Sequence, residues 1–136
     1  MEIEQTEIEK LVRDWTRSSD EDFGAMIGTF EIKKYNWALY IGHLCIEKLF
    51  KALLIKKTQS DKIPYIHNLV KLAKYCEIKT THEIDKKLAT INTFNIDAKY
   101  QIEDLEFFFR CTKEYTEEQI NIIKEVREWL KEKLTQ

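Results

Sequence analysis

Three polar residues recur at every fourth position within the most apolar stretch of the chain, namely His43, Glu47 and Lys51. Residues four apart share one face of an α-helix, so this spacing predicts a single polar stripe, with Lys48 beside it. Because an unpaired charge is costly in an apolar environment, the stripe requires an explanation. Glu47 and Lys51 can form a stabilising ion pair along the helix. Alternatively, the stripe is one wall of a groove in which Lys48 and Lys51 bind an anionic ligand.

His67 is the histidine that the chain can bring back to this stripe. A loop of roughly ten residues separates it from the apolar helix, which is short enough to fold the next helix back against that helix. His67 would then reach the mouth of the groove as the candidate general acid or base, although capping its own helix is the simpler alternative. The sequence has no glycine-rich phosphate loop, no HExxH motif and no zinc-type Cys/His spacing. Catalytic residues therefore stay unknown, and no metal or cofactor is predicted.

The composition predicts one all-α domain spanning residues 1–136. Only 3 glycines and 1 proline occur among 136 residues, which favours long helices over a fold rich in tight turns. The 3 cysteines form no CxxC pair, which indicates reduced thiols in a cytoplasmic protein. The first ten residues are polar and acidic, so no signal peptide is expected. Charged residues interrupt the apolar stretch between Trp37 and Ile55, which argues against a membrane span.

Helical periods of apolar residues predict a compact up-down bundle of four long helices plus a shorter one. The first helix is expected at about residues 4–31, with a break near Ser18–Asp20 as an alternative. The second, about 34–57, is apolar almost all round and belongs at the centre. A loop at 58–66 follows, fixed by Pro64.

Capping patterns set the remaining boundaries. Asn68 is the predicted N-cap of the third helix. Capping boxes predict helix starts at Thr80 with Glu83 and at Thr116 with Gln119, the latter helix running to about Leu134. Residues 95–100 are predicted to be irregular. We assign 101–114 to a short helix, because a lone strand would have nothing to pair with.

The net charge of −2 conceals an uneven distribution along the sequence. The segment from Lys48 to Lys99 contains eleven lysines and five acids, a balance of +6, whereas the rest of the chain carries −8. Solvated helix faces explain such a run most simply. The functional alternative is a basic middle segment that meets phosphate groups, with acidic flanks that limit indiscriminate binding.

Several short motifs, in a fixed order, resemble the HEPN family (higher eukaryotes and prokaryotes nucleotide-binding) of helical domains. The matching residues are Trp15, Ser19, Asp22 and Ala25 in the first helix, Glu47, Lys48, Lys51 and Ala52 in the second, His67 and Leu69 after Pro64, and Ala98-Lys99-Tyr100. Lys99 stands where the family has arginine, and Gln101 stands where it usually has proline. Their order and distances agree over nearly the whole chain.

The resemblance implies a helical bundle that is commonly dimeric and often encoded beside a minimal nucleotidyltransferase as a toxin–antitoxin pair. It also implies that Asp22, Lys99 and Tyr100 complete a ligand site with Glu47, Lys48, Lys51 and His67. Ribonuclease members share an arginine four to six residues before a histidine, and no histidine here has one. Lysine replaces arginine poorly in recognising phosphate, so this difference weakens the nuclease interpretation.

The predicted function is therefore a nucleotide-, RNA- or protein-binding component that pairs with a nucleotidyltransferase. One alternative is a metal-free ribonuclease toxin in which His67 transfers protons and lysines stabilise phosphate charge. The other is a purely structural dimeric module. A homodimer is expected, because the family commonly dimerises and 12% aromatic residues exceed what one small core requires. The first and last helices are the predicted source of its apolar surface.

Overall fold

A computed structural model describes the backbone of residues 3–99 and 105–136, with side chains described for residues 3–95 and 105–136. The described chain is helical and contains no strand, which confirms the predicted all-α bundle with its four long helices. The described residues contain two short helices, whereas one was predicted. The helices are α1 Gln5–Glu31, α2 Tyr35–Thr58, α3 Leu69–Tyr75, α4 His82–Lys99, α5 Glu106–Arg110 and α6 Lys113–Leu134.

Helix α2 is the centre of the bundle, as its apolar sequence predicts. It contacts each of the other five helices. Its core residues include Leu49, Phe50 and Leu53, all with 0% exposure. Burying large apolar side chains is the main favourable contribution to folding, so α2 organises the packing of the whole bundle.

Helix α1 runs without a break through Ser18–Asp20, so the alternative of two shorter helices does not occur. Ser19 is fully buried, and its hydroxyl donates a 2.7 Å hydrogen bond to the carbonyl oxygen of Cys45 on α2. A small side chain here lets the two backbones approach closely. The turn to α2 passes through Lys33, which has a left-handed φ of 67°.

The N-caps match the prediction at α3 and differ from it at α4 and α6. The Asn68 side chain accepts a hydrogen bond from the Lys71 amide, which confirms that cap. Thr81, one residue after the predicted Thr80, caps α4 by accepting from the Ile84 amide. Thr112 caps α6, so the predicted start at Thr116 was wrong by one turn. Thr116 and Gln119 instead lie buried inside the helix, because a start at Thr112 places both on its core face.

The prediction of irregular structure at residues 95–100 was wrong for 95–99, because α4 continues through Lys99. No glycine or proline interrupts residues 82–99, and fully buried Phe94 anchors this part of the helix in the core. Tyr100 and residues 101–104 lie outside the described residues. Helix α5 confirms a short helix within 101–114, although residues 113 and 114 already belong to α6.

The three cysteines are buried, and none of them forms a disulfide bond. Burial raises the pKa of the Cys76 thiol to about 11. Burial also raises the pKa of the Cys45 thiol, against the smaller opposing effect of a hydrogen bond from Ser19. Both therefore act as small core residues. Within the described residues, no helix is long and apolar enough to cross a membrane.

Candidate functional site

Glu47 is a buried carboxylate held between the Lys51 ammonium and the His67 imidazole. Its side chain is only 6% exposed. One carboxylate oxygen lies 3.2 Å from the Lys51 ammonium, one helical turn further along α2. The other accepts a hydrogen bond from His67 Nδ1 at 2.6 Å. The two contacts satisfy both oxygens, which is how a protein accommodates a carboxylate away from water.

His67 is attached to α2 at two points. Its side chain contacts Glu47, and its backbone carbonyl oxygen accepts a 3.2 Å hydrogen bond from Nε2 of the fully buried His43. The polar stripe of α2 therefore fixes the segment that enters α3. His67 does not cap α3, since Asn68 does so. With Nδ1 engaged by Glu47, the outer edge of the ring is its Nε2 side.

Lys48 joins α1 to α2. Its ammonium lies 2.8 Å from an Asp22 carboxylate oxygen and donates to the Ser18 hydroxyl at the same distance. Both charged side chains are largely covered, with 24% and 20% exposure for Lys48 and Asp22. Partial burial strengthens such a pair relative to one on the open surface. Asp22 is therefore paired with a lysine inside the protein.

Lys51 makes a further contact with the first helix. Its ammonium lies 5.4 Å from the centre of the Trp15 ring, within the range of a cation–π interaction. Trp15 and Ser18 are thus partners that the spacing within α2 did not reveal. Trp15 and Asp22 share one face of α1, and this spacing is the sequence signal that points to them.

We call Asp22, Glu47, Lys48, Lys51 and His67 the charged cluster. The structure joins five of the seven predicted site residues in two neighbouring groups, Asp22 with Lys48 and Glu47 with Lys51 and His67. Two carboxylates balance two ammonium groups, so its charge depends on His67. The exposed edge of the cluster consists mainly of His67, whose side chain is 37% exposed. Lys99 ends α4 but its side chain lies outside the described residues, as does Tyr100.

A separate ion network ties the outer faces of α1 and α6. Asp20 contacts the guanidinium of Arg127 at 3.0 Å and the ammonium of Lys131 at 3.1 Å. Burial acts to raise the pKa of Asp20, but the hydrogen bonds and charges of Lys131 and Arg127 outweigh it and hold that pKa below its ordinary value. Arg127 also lies 4.1 Å from the centre of the Phe23 ring. These contacts hold the two helices together.

No cluster of three or more His, Cys, Asp or Glu side chains suited to a metal ion occurs in the parts of the chain that the structure describes. The charged cluster contributes two carboxylates and one imidazole, but lysine ammonium groups occupy the carboxylates. Ammonium groups and an imidazole are groups that can bind an anion or transfer a proton.

Comparison with known proteins agrees with the helical architecture. A family model for the HEPN domain matches residues 12–134. The chain belongs to the HEPN family. The match spans most of α1 and all of the other five helices, and it includes every residue of the charged cluster. No curated protein matches the sequence.

Two solved structures resemble this HEPN protein in fold. The crystal structure of TT1696 from Thermus thermophilus gives a TM-score of 0.75 at 15% sequence identity, over 90% of this chain and 97% of that one. The crystal structure of ST0689, an archaeal HEPN homologue, gives 0.69 at 18% identity with the same coverage. At these identities the likeness concerns the fold.

Proposed function

We propose that this HEPN protein is a binding component that takes a phosphate-bearing ligand, a nucleotide or RNA, at the exposed edge of the charged cluster. The observation that carries the proposal is the position of Lys51 and His67. Both are anchored by buried Glu47, yet His67 reaches solvent. A preorganised donor loses little freedom on binding, which favours recognition over chance contact.

The lysines retain donors for a ligand even in their ion pairs. An ammonium group has three hydrogens. Lys51 donates one to Glu47, and Lys48 donates one to Ser18 while forming an ion pair with Asp22. The surrounding segment from Lys48 to Lys99 adds a balance of +6. Phosphate binding to such a surface should weaken as salt rises.

The test is the double substitution Lys48→Ala with Lys51→Ala. We expect the affinity for ATP, or for a short labelled RNA, to fall about tenfold or more, because two cations leave the site. Calorimetry and fluorescence anisotropy measure the two affinities, and circular dichroism checks that the fold survives. Trp15 lies beside Lys51, so its fluorescence gives a second readout of binding.

The matched control is Lys87→Ala with Lys131→Ala, which also removes two lysines from ion pairs but on α4 and α6, helices that contribute no residue to the charged cluster. This control should leave ATP affinity within about twofold, as expected for surface pairs. Equal losses of affinity in both double variants would show that the effect comes from net charge and not from the charged cluster. Wild-type protein that binds neither ATP nor RNA would overturn the proposal.

A metal-free ribonuclease is the second candidate function, favoured by the contact between Glu47 and His67. A buried carboxylate on Nδ1 orients an imidazole for proton transfer at Nε2. The chain lacks the arginine that the ribonuclease members place before their histidine. RNA from the binding assay therefore serves a second purpose: cleavage that disappears in His67→Ala would favour this candidate over simple binding.

Partner proteins belong to the same proposal. Membership of the HEPN family supports pairing with a minimal nucleotidyltransferase in a toxin–antitoxin arrangement, and a nucleotidyltransferase gene beside this one would favour it.

The proposed assembly is a homodimer. In the described residues, the exposed large apolar side chains lie outside α1 and α6, the helices expected to supply the dimer surface. Leu105, Phe108 and Phe109, around α5, form the largest run of them.

Light scattering tests the dimer directly. At high micromolar concentration we expect the mass of two chains of 16.4 kDa. Phe108→Ser with Phe109→Ser should shift the protein toward the monomer, because these rings are 49% and 70% exposed in the single chain. A wild-type protein that stays monomeric at this concentration would reject the dimer.

A further inference from the structure

An open groove lies beside the charged cluster, along α3 and the loop before it. Its volume is about 580 Å³, and its lining includes Tyr65, His67, Lys71, Lys74 and Tyr75. We call these five residues the α3 groove. His67 belongs to both the groove and the charged cluster, so the two surfaces are continuous.

Two aromatic rings of the α3 groove face solvent. Tyr65 is 91% exposed and Tyr75 is 56% exposed. Folding ordinarily buries part of such large rings, and these two line one groove, Tyr65 in the loop before α3 and Tyr75 at its last residue. Tyr65 also packs edge-on against His67, with ring centres 4.8 Å apart. Because Glu47 holds the His67 ring, this contact restrains Tyr65 before any ligand binds.

The charge of the α3 groove is positive. Lys71 and Lys74 are exposed one turn apart, and neither forms an ion pair with any part of the chain that the structure describes. No carboxylate is among the described residues that line the groove. Lys48 and Lys51 of the charged cluster each have a carboxylate partner, whereas Lys71 and Lys74 have none among the described residues, so these two add unpaired positive charge beside the cluster.

We propose that the α3 groove binds a single-stranded polynucleotide, with bases stacked on Tyr65 and Tyr75 and phosphates on Lys71 and Lys74. Aromatic rings beside a positive groove are the usual combination for binding strands without sequence preference. A duplex keeps its bases stacked on one another and offers no ring to the tyrosines. A free nucleotide supplies only one base for the two rings. The inference rests on the proposed function and extends it from phosphate binding to the kind of ligand.

The experiment measures the affinity of a short fluorescein-labelled single-stranded RNA by anisotropy. Tyr65→Ala with Tyr75→Ala should lower the affinity about tenfold or more, because base stacking on both rings is lost. Tyr65→Phe with Tyr75→Phe keeps the rings and should bind as the wild type does. The same RNA annealed to its complement should bind more weakly and should not respond to either tyrosine variant.

Lys71→Ala with Lys74→Ala tests the phosphate contacts. Each phosphate contact on a single strand contributes about 0.7 to the slope of log affinity against log salt. Loss of two contacts should therefore make this slope shallower by about 1.4. The matched control is Lys113→Ala with Lys124→Ala, which removes two exposed lysines of α6 outside the groove. This control should leave the slope nearly unchanged, since its lysines do not meet the ligand.

The outcomes separate this inference from the proposed function. ATP binding that depends on Lys48 and Lys51, together with RNA binding insensitive to the tyrosine variants, would overturn the groove and leave the proposed function standing. RNA binding that is lost in the tyrosine variants but unchanged by Lys48→Ala with Lys51→Ala would support the α3 groove and overturn the proposed function of the charged cluster. Equal responses of RNA and an oligoglutamate peptide to every variant would assign the groove to acidic protein segments and reject a polynucleotide.

Discussion

Glu47→Ala is expected to lower the free energy of unfolding by about 3 kcal/mol, which is the range for breaking a buried ion pair. The loss leaves Lys51, 13% exposed, without its carboxylate and leaves His67 Nδ1 without its acceptor. It also releases the side-chain attachment of the segment that enters α3. Urea denaturation followed by circular dichroism measures the change. The free energy of unfolding of Glu47→Gln should lie between those of the wild type and Glu47→Ala, because glutamine keeps the shape and one acceptor but not the charge.

Glu83→Ala is a close control for this substitution. Glu83 contacts Lys87 at 3.2 Å, four residues away on one helix, as Glu47 contacts Lys51. The difference is exposure, since the Glu83 side chain is 77% exposed. We expect this variant to lose less than about 0.5 kcal/mol. Similar losses in both variants would contradict the importance we assign to burial of Glu47.

Phe50→Ala is expected to cost about 3–5 kcal/mol, through lost apolar burial and the cavity that remains. Phe50 is among the largest of the fully buried side chains, and it lies on the central helix that every other helix contacts. Surrounding helices cannot all move inward at once, so the cavity should collapse only partly. Chemical denaturation measures the loss, and a domain of this size can lose most of its stability.

Tyr65→Ala provides the comparison for Phe50→Ala. It removes a larger aromatic side chain, but one that is 91% exposed. Its free energy of unfolding should stay within about 0.5 kcal/mol of the wild type. This variant also shows whether the Tyr65 substitution preserves the fold, and the same measurement on the double tyrosine variant separates lost ligand contacts from lost stability. A loss for Phe50→Ala as small as that for Tyr65→Ala would contradict the central role of α2.

The sequence predicted the helical class and the order of the long helices, because apolar periods, a low content of glycine and proline and several capping residues act locally. Helix α2 illustrates this, since a helix apolar on nearly every side must be surrounded by others. The start of α6 at Thr112 was not predicted. Two threonines four residues apart are equally good caps in isolation, and packing chose the one that places Thr116 and Gln119 on the buried face.

The sequence alone also brought the polar stripe and His67 to notice, since helical spacing and a short loop limit what can meet. Only the tertiary structure decided which charges pair. Asp22 could meet either lysine of α2 by spacing alone, and the packing of α1 gave it Lys48 while Glu47 took Lys51 and His67. Side-chain contacts between helices depend on their relative rotation and depth of packing, which local propensity does not encode. For the same reason Tyr65 and Tyr75 became one surface only when α3 folded back beside α2.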